Sequence, residues 1–324
     1  MALTSKDVAE RAGVSRSTVS YILNGQGHRF SPATREAVER AVAELGYQPQ
    51  AAGRALVRGQ SDLVLFVLPL AAGAVVFDSV NILTDALAEK GISLLMRSAS
   101  SSLASFRSMV TTVRPRAVIA SSALSEPEGA LLQSLGIPTI DLARASSEPG
   151  GWNWDIGRMQ AEHLMQRGYQ RLAYARLEEA GDDVLMGIRE QGVREACRAA
   201  GLPYPEAITV ALRADADLDA VRALPPDTGV ACYNDHTAAA VLAAARVVGR
   251  RVPSQDLGVI GVDNSPIATQ TAPRLTTIGY ELQRPMRRLA ELIADDATEA
   301  AAEAGSVSRT RIESVAYLVQ GDST

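Results

Sequence analysis

The spacing of apolar and polar positions divides the chain into two regimes. Up to about residue 50 the apolar positions recur at helical intervals. In TSKDVAERAGVSRSTVSYILN, Val8, Ala9 and Ala12 form one apolar face, Gly13 supplies a turn, and Val19, Ile22 and Leu23 form a second face. Thr4 followed three residues later by Asp7 makes a capping-box start, and Ser15 is an N-cap for a helix beginning at Arg16. That helix leaves Arg16, Ser17, Ser20 and Tyr21 outside. A turn from Gly25 to Phe30 follows. Ser31-Pro32 is then an N-cap with proline at the first helical position, and Ala37, Val38, Ala41, Val42 and Leu45 give a third apolar face that stops at Gly46. A three-helix head is predicted over 1–49. The next stretch, AAGRALVRG within residues 50–60, reads as a helix with too little apolar surface to stand alone. It is either a plain linker or an element that orders on binding.

From Asp62 onward short apolar runs alternate with amphipathic helical stretches. The runs are LVLFVLPL, ISLLM, AVIAS, PTIDLA, RLAYAR, AITVAL, GVACY and LGVIGV, and helices are predicted over Ser79–Lys90, Ile156–Arg167, Val184–Ala200 and His236–Val248. Continuous apolar strands alternating with helices indicate parallel sheets covered on both faces. Eight strands are awkward in one sheet, so the α/β body of residues 61–324 is expected to form two doubly wound parallel-sheet subdomains. Their ligand cleft should lie at the carboxyl ends of the strands. Pro285 falls in the first turn of a helix expected to run to about Ala304, and RTRIE and VAYLV are the last two predicted strands.

Composition sharpens this picture. The 324 residues, 47% of them apolar, suffice for two or three units with real cores. The formal net charge of −5 conceals an asymmetry. Residues 1–60 hold eight basic and five acidic side chains, a net of +3, and the remainder carries 24 basic against 32 acidic, a net of −8. A basic head on an acidic body suits a DNA reader with a separate regulatory part. Two short helices joined by a glycine turn, the second presenting Arg, Ser and Tyr, form a helix-turn-helix that reads a major groove. An ordinary helical hairpin is the other reading. Cys197 and Cys232 have no metal-ligand spacing and read as free buried thiols in a reducing cytoplasm. The chain shows no export signal and no apolar run as long as a bilayer, so a cytoplasmic protein is expected. G-x-S-x-G, G-x-x-x-x-G-K-[ST], H-E-x-x-H and G-x-G-x-x-G are all absent, which argues against an enzyme, and no cofactor or metal is called for.

The head, KDVAERAGVS-x-x-TVS-x-x-LN followed by SPATREAVERAVAELGYQPQ, resembles the lac-repressor/galactose-repressor family nearly position by position. The body carries later landmarks of that family: WDIGRMQAEHLMQRGYQRLAY, IREQGV, YNDHTAAAVL, RVPSQDLGVIGVDN, PRLTTIGYE and YLVQGDST. The resemblance implies a periplasmic-binding-protein-like body and a homodimer on an approximately palindromic double-stranded operator. Family precedent favours repression relieved by a small effector, with a co-repressor as the alternative. Buried polar groups at strand ends suit a polyhydroxylated effector, a carbohydrate. The resemblance also implies crossovers between the subdomains near 168, 280 and 308. Subdomain one is then about 61–168 with 280–307, and subdomain two about 169–279 with 308–324.

By the same resemblance, Arg16, Ser17 and Tyr21 take base-reading positions, and the Arg16 fork suits guanine O6 and N7. A phosphate contact is the alternative for Arg16. Ser15, Thr18, Ser20, Asn24 and Tyr47 fall where phosphates are bonded, which fixes register without reading sequence. His28 either touches the DNA backbone or is simply exposed. Leu56 matches the family's hinge leucine, which wedges into a minor-groove step and kinks the duplex, with Arg54 tracking the groove beside it. The chain departs from the family at Gln50, where Asn is usual, and at Gly53, where Ala is usual, and both changes make a hinge helix costlier to order. In the cleft, Arg189, Asn234 and Asp263 match effector contacts, Arg and Asp together being suited to adjacent sugar hydroxyls. Each also has a structural reading as a salt bridge or turn cap. Asp155 matches an acid near the cleft, or else caps a helix beginning at Ile156. Trp152 and Trp154, two apart, face the same way on an extended segment. They either stack on a sugar or pack on the surface. Phe77 sits near a pocket-lining aromatic of the family. A solute-binding protein of a sugar transporter would explain the body and leave the basic head without a role.

Overall fold

The computed structural model describes residues 3–23, 27–47, 61–69, 73–99, 102–142, 151–181, 183–213, 218–254, 256–295, 297 and 316–324. The expected hinge helix at 50–58, Asn24, and the predicted strand RTRIE lie outside the described residues. Two compact units are present, residues 1–62 and 63–324.

In the first unit, α1 (Ser5–Ala12), α2 (Arg16–Tyr21) and α3 (Pro32–Leu45) follow the apolar pattern closely. Val8, Ala9, Val19, Val38 and Ala41 are buried together, and Ile22, Leu23, Val42, Leu45 and Tyr47 pack against them. The starts and stops are chemical. Asp7 Oδ2 accepts from the Thr4 amide and hydroxyl, each at 2.7 Å. The Ser15 and Ser31 hydroxyls accept the amides of Thr18 and Thr34. Gly13 and Gly46 end α1 and α3 in the left-handed conformation.

The second unit carries two four-stranded parallel sheets. The first has the order β2-β1-β3-β4, from Ser93–Ser98, Leu63–Leu68, Ala117–Ala120 and Thr139–Asp141. The second repeats that order as β6-β5-β7-β8, from Glu206–Val210, Arg171–Leu177, Thr228–Cys232 and Leu257–Ile260. Each is covered on both faces. On the first sheet, α4 (Ala74–Ala88) and α12 (Gln283–Asp295) share one core, and α5 (Leu103–Val113) and α6 (Glu126–Ser134) share the other. On the second, α7 (Trp152–Gln166) and α8 (Val184–Ala199) cover one face, and α9 (Leu218–Ala223) and α10 (Asp235–Val247) the other. A short α11 (Pro266–Gln270) follows β8.

Three sequence expectations need correction. The helix expected to start at Ile156 begins at Trp152, and Ile156, Ala161 and Leu164 on it pack with the second sheet. The first crossing therefore precedes Trp152 instead of lying near 168. Thr277–Tyr280 forms a strand, β9, not expected from the sequence, antiparallel to β10 (Ala316–Val319). Its neighbour Thr276 bridges to Ile260 of the second sheet, while α12 just beyond it packs on the first sheet, so the chain changes sheets between Tyr280 and Gln283. The chain end is fastened to the second sheet. Val259 donates its amide to Ser323 O at 2.8 Å, and Thr324 Oγ1 lies 2.9 Å from both His163 Nε2 and Thr276 Oγ1.

Candidate functional site

Arg189 is the centre of the cleft-side constellation. It lies on α8, buried, and two glycines explain how it gets there. A Cβ on Gly157 would lie 1.9 Å from the Arg189 carbonyl oxygen, and one on Gly192 would lie 2.1 Å from that of Trp154. Only bare backbone lets α7 and α8 cross so closely. The crossing sets Arg189 beside Asn153. Arg189 Nε donates to Asn153 Oδ1 at 2.9 Å, Nη1 to the Tyr233 carbonyl at 2.7 Å, and Nη2 to the Tyr280 hydroxyl at 3.1 Å. Three of a guanidinium's five donors are thus committed to the protein, and the plane of the group is fixed.

Asp263 follows β8 with φ 106°, and Asn264 follows with φ 47°. Two consecutive non-glycine residues in the left-handed region are strained and persist only when held. They are held: the Asp263 amide donates to Ile278 O at 2.8 Å, and the Asn264 amide to Thr277 Oγ1 at 3.2 Å. Burial pushes the Asp263 carboxyl up to about 7 against the pull of Arg189, and Asp235 and Asp78 push it further the same way. Its Oδ1 is buried without a hydrogen-bond partner among the described residues, as is Nδ2 of Asn153. The site therefore offers one unmatched acceptor and one unmatched donor. Across from Asp263 stands Gly73, at the start of α4, where a Cβ would lie 2.5 Å from Asp263 Oδ2.

The sequence-predicted residues divide. Arg189 and Asp263 come together, with Asp263 among the charges felt by Arg189. Asn234 is the N-cap of α10, its Oδ1 accepting from the Thr237 amide and hydroxyl at 2.9 Å each. Phe77 lies exposed on the first turn of α4, one turn from Gly73. Trp152 and Trp154 are corrected. They occupy the first turn of a helix, where residues two apart point to nearly opposite sides. Trp152 meets the Tyr280 ring edge-on at 5.7 Å, and Trp154 packs on Leu185 and Ile188. Asp155 is also corrected: it is inside the first turn, not a cap, and accepts from Arg158 Nε at 3.3 Å.

Four residues were missed. Asn153 and Tyr280 orient Arg189, and Tyr233 supplies the carbonyl that receives it. Buried Asp235 accepts from Thr277 Oγ1 at 2.6 Å and from the Ser265 amide and hydroxyl at 2.7 and 2.9 Å, tying β9 to the Asp263 loop. The available signals were Asn153 between the tryptophans and Asp235 directly after Asn234. Burial raises the Tyr280 hydroxyl above the ordinary phenol range, so it stays neutral while accepting from Arg189.

In the head, Arg16, Ser17 and Tyr21 are exposed on α2, as are Ser15 at its cap and His28 in the turn Gly27–Arg29. Thr18 and Ser20 are half-buried, and Tyr47 packs on the head core. Tyr21 is flanked by Phe30, ring centroids 6.2 Å apart, and by the Arg29 guanidinium at 5.3 Å. Arg54 and Leu56 lie outside the described residues. Among the described residues no helix is long and apolar enough to cross a membrane, and no group of three or more His, Cys, Asp or Glu side chains is placed to hold a metal ion.

A helix-turn-helix head and a doubly wound body with a polar constellation at its strand ends define the class: a DNA-binding transcriptional regulator. Residues 4–50 match the family of bacterial regulatory proteins of the lacI type, and residues 161–324 match a periplasmic binding protein-like domain. The chain is 32% identical over 323 residues to the HTH-type transcriptional regulator CelR of Thermobifida fusca, covering 91% of this chain and 92% of that one. It is 28% identical over 311 residues to the ribose operon repressor of Escherichia coli K12, covering 90% and 91%. The chain belongs to the lacI family. Among solved structures, a CelR–cellobiose complex aligns with TM-score 0.64 at 26% identity over 99% of this chain and 100% of that one. A lac repressor dimer bound to operator and an anti-inducer aligns with TM-score 0.73 at 22% identity over 100% and 99%, a likeness of fold. The match of residues 4–50 gives the head the role that a transporter's solute-binding protein would leave it without.

Proposed function

We propose that this regulator is a cytoplasmic repressor acting as a homodimer on an approximately palindromic operator, with a carbohydrate effector bound between the two sheets of the body. The observation that carries the reading is the pairing of a committed Arg189 with the unmatched Asp263 Oδ1 and Asn153 Nδ2 at the strand ends. A polyhydroxylated ligand supplies a donor and an acceptor on neighbouring atoms and meets both needs. The relatives support the class, one of them having been solved with cellobiose. Residues 1–49 form the reader, 50–60 the hinge and 61–324 the effector and dimerisation body. Phe77 and Trp152 flank the effector, and Asn234 shapes the loop beside it. Trp154 and Asp155 act less directly, through the start of α7.

Effector binding changes the angle between the two sheets, which alters the spacing of the two heads and the order of the hinge helices. In the head, Arg16, Ser17 and Tyr21 read bases. Ser15, Thr18, Ser20, Asn24, His28 and Tyr47 hold phosphates, while Arg54 and Leu56 enter the minor groove. The test is a gel shift with DNA upstream of the protein's own gene, with and without a panel containing cellobiose and ribose. One sugar is expected to change the affinity. Indifference to every duplex at low salt would refute the DNA reading, and indifference to all sugars with operator bound would refute the effector class. Leu56→Ala is expected to weaken operator binding more than random-DNA binding; equal losses count against the wedge.

A further inference from the structure

Two helix starts meet in the head. The Thr4–Asp7 box fixes Ser5 as the first residue of α1, and the Ser15 cap fixes Arg16 as the first residue of α2. Gly13, at φ 66°, turns the chain between them. The two first residues are joined directly: Arg16 Nε donates to Ser5 Oγ at 2.9 Å. A guanidinium is planar and carries one N–H on Nε and two on each Nη. With Nε taken, the fork that remains is the end-on Nη1/Nη2 pair, and among the described residues neither Nη group is hydrogen-bonded. That pair has the spacing needed for O6 and N7 of a guanine.

A long side chain loses rotamer freedom when it docks. The Ser5 bond removes part of that freedom beforehand and sets the plane of the fork. We propose that Ser5 is a positioning residue for base reading, its hydroxyl anchoring Nε so that Arg16 presents its two Nη groups to one guanine. The assignment rests on Arg16 reading a base, as set out above. It requires only a hydroxyl at position 5. Thr therefore substitutes for Ser, and Ala does not.

The experiment uses the full chain and a pool of random duplexes. Sequences bound by the unaltered protein give a consensus, and single-base variants of that duplex then measure the preference at each position. Arg16→Ala identifies the guanine that Arg16 reads, as the position where preference is abolished. Ser5→Ala is expected to reduce the preference at that same position by about three- to tenfold, the worth of one hydrogen bond, with affinity for random DNA unchanged. Ser5→Thr restores the preference. Thermal melting of each variant confirms a folded head, since Ser5 lies at a helix start with no place in the core.

If Arg16→Ala abolishes preference at one position and Ser5→Ala leaves it intact, the positioning role is overturned and the base reading stands. If Arg16→Ala changes no position, the base reading fails and the positioning role falls with it. If Ser5→Ala weakens all duplexes equally, Ser5 acts on phosphates and the proposal is overturned.

Discussion

Asp263 concentrates the opposing demands of the cleft in one side chain. Its carboxyl is raised to about 7 chiefly by burial, so the folded protein holds this proton more tightly than the unfolded chain, whose aspartate titrates near 3.8. The group's contribution to stability is therefore greatest below pH 4, declines as pH climbs towards 7, and is flat above. Asp263→Asn cannot lose a proton. Its melting temperature relative to the unaltered protein should rise between pH 4 and 7 and level off above, as read by calorimetry across that range; a gap independent of pH would contradict the assignment. Asn234 makes a simpler test. Its Oδ1 is occupied by Thr237, so Asn234→Ala should destabilise the body by about 1 kcal/mol through loss of the cap, with no effector present. Unchanged stability in urea titration would instead leave Asn234 as a ligand contact only.

Among the elements, the crossing of α7 and α8 decides most. Gly157→Ala or Gly192→Ala places a methyl against backbone oxygen, which cannot swing aside. Each should cost roughly 1–3 kcal/mol and displace Arg189. Thermal melting and effector titration would show both losses together, and a variant as stable as the original would mean the helices are free to part. This crossing also shows where the sequence stops being legible. The head could be read almost completely, because its caps and apolar faces are local: Thr4, Ser15, Ser31, Gly13 and Gly46 each act within four residues. The parallel strands were visible for the same reason, as short apolar runs. Trp152 and Trp154 were misread because helix start and extended segment differ there only in what α7 packs on. The bonds from Arg189 to Asn153, Tyr233 and Tyr280 span 36, 44 and 91 residues. No periodicity encodes such distances. Arg189 and Asp263 were reachable only through family likeness, and Tyr280 sits on a four-residue strand, Thr277–Tyr280, too short and too mixed to stand out.

At the scale of the whole molecule, charge and ligand linkage make separable predictions. The basic head should bind DNA with an affinity that falls steeply with salt, the logarithm of the constant declining linearly with that of salt concentration. An effector that binds only the folded body should raise its stability by about 2.7 kcal/mol at a hundred times its dissociation constant. Scanning calorimetry with cellobiose or ribose checks this, and a sugar that shifts operator binding without shifting the melt would separate the two effects. Gly73 carries a last consequence. It stands on the wall opposite Asp263, where one more carbon would lie 2.5 Å from the Asp263 carboxylate. A single methyl at position 73 would push that carboxylate out of its place and spoil the seat it offers to a ligand hydroxyl. Gly73→Ala should thus blunt the answer to a sugar while leaving the head intact, seen in a gel shift as a smaller sugar-dependent change in operator affinity than the unaltered protein shows.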